Sequence, residues 1–159
     1  MAPNTVKKYI QIFEALFIVF KVTPYSKNIT RSLLKEPKIY FFDNGMVVGD
    51  KGIVFENFVA VSLLKHIYGM NDYKGIRTEL KYIRTKEGKE IDFCIAENNN
   101  AKLLIETKYS DKSLNKSLMY FSEKYNIPAL QLVYQLRNEI LEQNISIRKA
   151  ESFLKELFL

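Results

Sequence analysis

The run EIDFCIAENNNAKLLIETK, from Glu90 to Lys108, confines this chain more than any other stretch. Two segments rich in β-branched and apolar residues flank three asparagines, which tolerate left-handed backbone, so the run reads as an antiparallel hairpin. Strand side chains alternate, and Glu106 and Lys108 therefore share one face while Thr107 points to the other. A turn closing at Asn98, Asn99 and Asn100 sets Asp92 at the level of that pair. Two carboxylates and an ammonium then meet, the composition of a divalent-metal site with a cationic helper.

With 159 residues and 47% hydrophobic content the chain supports one well-buried core and a small appendage. Its net charge of +6 suits a polyanion but is common among ordinary proteins, so charge alone assigns no partner. Cys94 is the single cysteine, which excludes an intrachain disulfide and a multi-cysteine zinc site and suggests a reducing compartment. The apolar stretch Ile10 to Val22 is short and interrupted by Gln11, Glu14 and Lys21, and nothing before it resembles a signal peptide. The expectation is a soluble, cytoplasmic protein with no membrane partner.

Along the chain, Thr5 is placed to cap a helix from Val6 to about Phe17, followed by a strand from Ile18 to Val22 that stops at Pro24. Lone elements of this kind cannot bury their apolar stripes, so this segment is expected to pack on the main sheet or on a second copy of the chain. Ile39 to Phe42 is strand-like, and Asp43-Asn44-Gly45 signals a turn. A helix from Gly52 to about Tyr68, ending near Gly69, precedes strands at Arg77 to Arg84, Lys89 to Ala96 and Lys102 to Lys108. Then come a helix from about Lys112 to Tyr125, strands from Ala129 to Tyr134 and Ile145 to Arg148, and a helix from Ala150 to Phe158. The fold class is α/β, with a mixed sheet in the order helix, three strands, helix, strand.

Glu56 stands in the middle of the apolar face of the Gly52 helix. Val59, Ala60, Leu63 and Ile67 fall within about 60° of it at 100° per residue. An unpaired carboxylate there costs several kcal/mol to desolvate, so Glu56 must be paired, protonated or bound to a cation. A salt bridge to Lys108 or to a sheet arginine would suffice.

A helical Glu, a strand Asp and a strand Glu-x-Lys in this element order resemble the PD-(D/E)XK nucleases, whose fold is restriction-endonuclease-like. The succession Lys38-Ile39-Tyr40-Phe41-Phe42-Asp43-Asn44-Gly45, Phe55-Glu56-Asn57, Gly88-Lys89-Glu90-Ile91-Asp92-Phe93 and Ile105-Glu106-Thr107-Lys108 is similar to an uncharacterised domain that follows the ATPase module of many bacterial and archaeal AAA+ ATPases. Residues 5–25 are similar to the end of a winged-helix linker. The implied division is an appendage over 1–37 and a nuclease-like domain over 38–159. No Gly-x-x-x-x-Gly-Lys-Ser/Thr occurs, so no ATP site is attributed to the chain.

The resemblance implies a catalytic set of Glu56, Asp92, Glu106 and Lys108. Asp92 and Glu106 would bind magnesium or manganese, with Glu56 and the main-chain carbonyl of Thr107 as further ligands, and Lys108 would act on the attacking water and the phosphate. The cations Arg77, Lys81, Arg84, Lys86, Lys89, Lys112 and Lys116 would contact the nucleic-acid backbone, although they equally suit a solvated face. Tyr82 and Tyr109 could stack on bases. His66, the single histidine, reads as a helix-surface or core-edge residue ahead of a catalytic base. Two functions of different class follow: a magnesium-dependent phosphodiesterase acting on DNA or RNA, and a catalytically silent module that binds nucleic acid or a partner protein. A homo-oligomer through the N-terminal segment is a further expectation.

Overall fold

Alternating and apolar segments of strand length pair into one sheet, and amphipathic helices cover its two faces. The computed structural model describes residues 3–26, 36–110, 113–141 and 144–157. In chain order these form helix α1 (Pro3–Ala15), strands β1 (Val19–Pro24) and β2 (Lys38–Phe41), helix α2 (Lys51–Lys74), and strands β3 (Thr78–Arg84), β4 (Glu90–Glu97) and β5 (Asn100–Lys108). Helix α3 (Lys116–Tyr125), strands β6 (Ala129–Val133), β7 (Ile140–Leu141) and β8 (Ile145–Lys149), and helix α4 (Ala150–Lys155) follow.

Among the described residues the sheet has eight strands in the order β2-β1-β3-β4-β5-β6-β8-β7. The β1–β2, β3–β4, β4–β5 and β7–β8 pairs are antiparallel, and β1–β3, β5–β6 and β6–β8 are parallel. Every residue of β6 is buried, as expected for a strand covered on both faces. On one face Val59, Ala60, Leu63 and Ile67 of α2 and Phe153 of α4 pack with Phe93, Ile105 and Leu132. On the other, Leu118 and Phe121 of α3 pack with Ile91, Cys94 and Leu104. The fold is thus mixed α/β, a mixed sheet flanked by helices.

Several local outcomes differ from the sequence-based expectations. Asn98 and Asn99 both have positive φ, 49° and 63°, so the β4–β5 hairpin closes on a two-residue type I′ turn and β5 begins at Asn100. Helix α2 does not end at Gly69 but runs on to Lys74, where Gly75 (φ 63°) provides the left-handed cap. A glycine inside a helix costs about 1 kcal/mol relative to alanine, and the extension past it is held by Asn71, which bonds both the N–H and the carbonyl of Thr78, and by the Gly75 cap. Helix α1 begins at Pro3, not after a Thr5 cap. Strand β1 lies inside the sheet between β2 and β3, with Phe20 and Val22 in the core beside Tyr40. Among the described residues α2 is the one helix long and apolar enough to cross a bilayer, and its buried residues pack on the sheet. In α4, Phe153 is buried, while Phe158 lies outside the described residues.

Candidate active site

The site begins with a defect in the ladder. Between Lys81↔Cys94 and Ile83↔Ile91, β3 advances two residues and β4 three, so β4 carries a bulge at Asp92-Phe93. A bulge re-aims the side chains at its position. The β4–β5 pairing extends from the turn only to Phe93↔Ile105, and beyond it the strands part. Asp92 fills the opening: its Oδ2 accepts the Thr107 main-chain N–H at 2.9 Å and the Thr107 hydroxyl at 2.8 Å.

Glu106 and Lys108 share a face of β5, and the Lys108 ammonium lies 2.9 Å from Glu106 Oε1. The same oxygen accepts a 2.7 Å hydrogen bond from Asn115 Nδ2, while Asn115 Oδ1 caps α3 by accepting from the N–H groups of Ser117 and Leu118. The Asn115 N–H donates to Gln131 Oε1, and Gln131, fully buried beside Glu106 on β6, donates in turn to the Ser113 carbonyl. Glu106 is buried, and desolvation, reinforced by the Asp92 charge, pushes its carboxyl up to about 7 against the opposing pull of Lys108.

Glu56 enters from α2. Its neighbours fix it there: Phe55 packs in the core, and buried Asn57 clasps the edge strand β2 by accepting from the Phe41 N–H at 2.8 Å and donating to the Phe41 carbonyl at 3.0 Å. The partner of Glu56 is neither Lys108 nor a sheet arginine. Glu56 Oε1 accepts from the Tyr40 hydroxyl at 2.6 Å and from the Lys38 ammonium at 3.2 Å. Lys38 also reaches Glu90 at 2.8 Å and Asp92 at 3.4 Å. Burial works against its charge, but Asp92, Glu56 and Glu90 outweigh that and hold the ammonium above the usual lysine range.

Of the four sequence-predicted residues, Glu56 is tied to Asp92 by way of Lys38, and Glu106, paired with Lys108, feels the Asp92 charge. Thr107 is present as a donor that positions Asp92. Among the described residues no three His, Cys, Asp or Glu side chains form a group set to hold a metal ion, and the ammonium of Lys38 stands among Glu56, Glu90 and Asp92 instead.

The predicted cations divide. Arg84 pairs with Glu90 at 3.2 Å, and Lys116, exposed, opens α3 one residue after the Asn115 that touches Glu106. Lys89 lies over the Tyr120 ring, 3.2 Å from its centroid. Arg77 lies just before β3, at the other end from Arg84, where its carbonyl accepts from Asn98; about 3.3 Å per residue puts it on the order of 20 Å along the strand from the carboxylates. Lys81 bonds Thr23 and pairs with Glu79. Lys112 lies outside the described residues.

Tyr82 is buried, with its hydroxyl on the Glu36 carbonyl, and offers no face to a base; Tyr109 is half-buried and stacks on Tyr134 at 5.0 Å. Burial pushes the Cys94 thiol up to about 12, so it is a structural residue. Sequence reasoning missed Lys38, Tyr40, Glu90, Asn115 and Gln131. A signal existed for most of them. Lys38 alternates with Tyr40 and Glu90 with Asp92 at strand spacing, and a glutamine interrupts the apolar run Ala129-Leu-Gln-Leu-Val.

Residues 51–151 match the family model described as Domain of unknown function (DUF4143), and residues 1–53 match a second, Domain of unknown function (DUF8612). The chain is 25% identical over 143 residues to an uncharacterized protein of Haemophilus influenzae, an alignment covering 82% of this chain and 36% of that protein. No solved structure matches the chain.

Proposed function

The chain belongs to the DUF4143 family, and from that footing we propose that its carboxylate site hydrolyses phosphodiester bonds of nucleic acid with a magnesium or manganese ion, on a sheet of the restriction-endonuclease type. The observation that carries the reading is the pairing of Glu106 with Lys108, within reach of the Asp92 charge, where β4 and β5 part, with Glu56 tied to Asp92 through Lys38. The element order α2, β3, β4, β5, α3, β6 supports the fold reading.

The donor chemistry suits a hard divalent cation, because the side chains concerned offer carboxylate oxygens and a cation, the Lys38 ammonium, already lies against two of them, Glu56 and Asp92, and against Glu90. Asp92 and Glu106 would hold the ion, with Glu56 and the Thr107 carbonyl as the remaining ligands. Bound there, the ion would supply Lewis-acid polarisation of the phosphate and would acidify a water. Lys108, one-third exposed, reaches the opening and would orient the water and steady charge on the phosphate oxygens. Thr107 fixes the Asp92 carboxylate in advance, and Asn115 fixes that of Glu106.

A second reading is a silent module that binds nucleic acid or a partner protein. It is favoured by one observation, that Lys38 and Lys108 already neutralise the carboxylates from within the chain. We further take the domain as the C-terminal module of a longer ATPase-type protein; the aligned region is 36% of the Haemophilus relative, which leaves room for one. Incubation of plasmid and single-stranded DNA or RNA with millimolar magnesium or manganese tests the hydrolytic reading. Cleavage is expected in the unsubstituted protein and its loss in Asp92→Asn and Lys108→Ala; nucleic-acid binding without cleavage would establish the silent module.

A further inference from the structure

We propose that Lys38 is the built-in cation of this site, an intramolecular competitor that a divalent ion must displace before it can bind. The proposal rests on the reading of Glu56 and Asp92 as ligands of the ion, and it names how access to them is regulated. A surface lysine ordinarily makes one loose ion pair. Lys38 makes three at once, to Glu90, Glu56 and Asp92 at 2.8, 3.2 and 3.4 Å, while standing 5.7 Å over the Tyr82 ring, and only a fifth of its side chain is exposed. Two of those three carboxylates belong to the set assigned to the metal. An ammonium in contact with them and a divalent ion on the same oxygens repel each other strongly at such separations, so the two occupants exclude one another.

The position of Lys38 in the fold suits exchange. It is the first residue of β2, an edge strand of the sheet, three residues before the Phe41 that Asn57 clasps, and its four-carbon stem lets the ammonium leave without moving the strand. In the metal-free protein Lys38 relieves repulsion among Glu56, Glu90 and Asp92, so the fold does not depend on the ion. In the loaded protein its charge is released toward the opening of the site. The consequence is a threshold: metal affinity is weaker than the carboxylates alone would give.

Calorimetric titration with manganese alone tests this. Lys38→Met is expected to bind manganese at least about tenfold more tightly than the unsubstituted protein, and Lys38→Arg, which keeps the charge, within about threefold of it. Equal affinity in Lys38→Met and the unsubstituted protein would overturn the proposal. Should Lys38→Met fail to fold, acylation of Lys38 in the unsubstituted protein, followed by mass spectrometry, decides: faster labelling as manganese is added supports displacement, and an unchanged rate at the highest manganese concentration overturns it. Tight binding by Lys38→Met, with no cleavage by the variant or by the unsubstituted protein, would sink the hydrolytic reading and leave this one standing. Cleavage by the unsubstituted protein with unchanged manganese affinity in Lys38→Met would do the reverse.

Discussion

Asp92 and Thr107 are joined twice, the carboxylate Oδ2 accepting both the main-chain N–H and the hydroxyl of Thr107 where the β4–β5 ladder has ended. The side chain takes the place of the missing ladder bond. Thr107→Val keeps the shape and removes one of the two donors, so it should cost about 1.5–3 kcal/mol, the range for a hydrogen bond to a charged group. For a chain of this size that is a fall of roughly 3–12 °C in melting temperature, read by calorimetry. An unchanged melting temperature would show that the hydroxyl does not hold Asp92.

The elevated Glu106 carboxyl predicts a pH dependence. Its folded value, about 7, lies above the ordinary 4.5, so the folded state binds the proton more tightly. The stability contribution is complete below about pH 4.5 and is lost as pH rises through 7. Glu106→Gln cannot ionise, and the stability difference between it and the unsubstituted protein should move in favour of the variant as pH rises from about 4.5 to 7, by roughly 3 kcal/mol at most, followed as melting temperature against pH. Asp92→Asn removes the second cause of the elevation, so a carboxyl titration followed by NMR should find Glu106 at a lower midpoint in that variant.

Asn57 mimics a neighbouring strand for the edge residue Phe41 and also donates to Asn44 Oδ1 at 3.1 Å. Asn57→Ala should destabilise the protein by about 2–3 kcal/mol, because it strips partners from groups that burial keeps from water. It should also loosen Glu56, one residue away, without touching any site atom. Urea unfolding and manganese affinity, measured together, check both effects; loss of stability alone would confine Asn57 to a packing role.

Helix α1 and the turn after it leave Tyr9, Ile12, Phe13, Leu16 and Phe17 exposed, the last at 75%. Such a stripe favours association of the isolated chain with a second copy. Light scattering should find concentration-dependent dimers that Ile12→Ser combined with Leu16→Ser returns to monomers. A monomer at high concentration in the unsubstituted chain would refute the self-association.

The hairpin was legible because its signals are local: alternation fixes faces, and asparagine accepts the left-handed backbone that a two-residue turn requires. The order from α2 to β6 and the pairing of Glu106 with Lys108 followed from the same periodicities. The end of α2 was misread because Gly69 lies inside a helix whose stability comes from packing on the sheet, while Gly75 supplies the cap. The place of β1 inside the sheet was not legible, since nothing in an isolated strand states which edge it joins.

The sequence by itself determined which side chains share a face, that Glu56 would be a carboxylate in need of a partner, and that Asp92, Glu106 and Lys108 would stand on one hairpin. Tertiary structure decided the partner. The bulge that turns Asp92 toward Thr107, and the register that brings Lys38 to residues 18 and 54 positions away, depend on how distant strands align. Local propensity extends over a few residues, whereas the meeting of faces is set by packing across the whole sheet, and it is packing that carried the Lys38 ammonium in among the carboxylates.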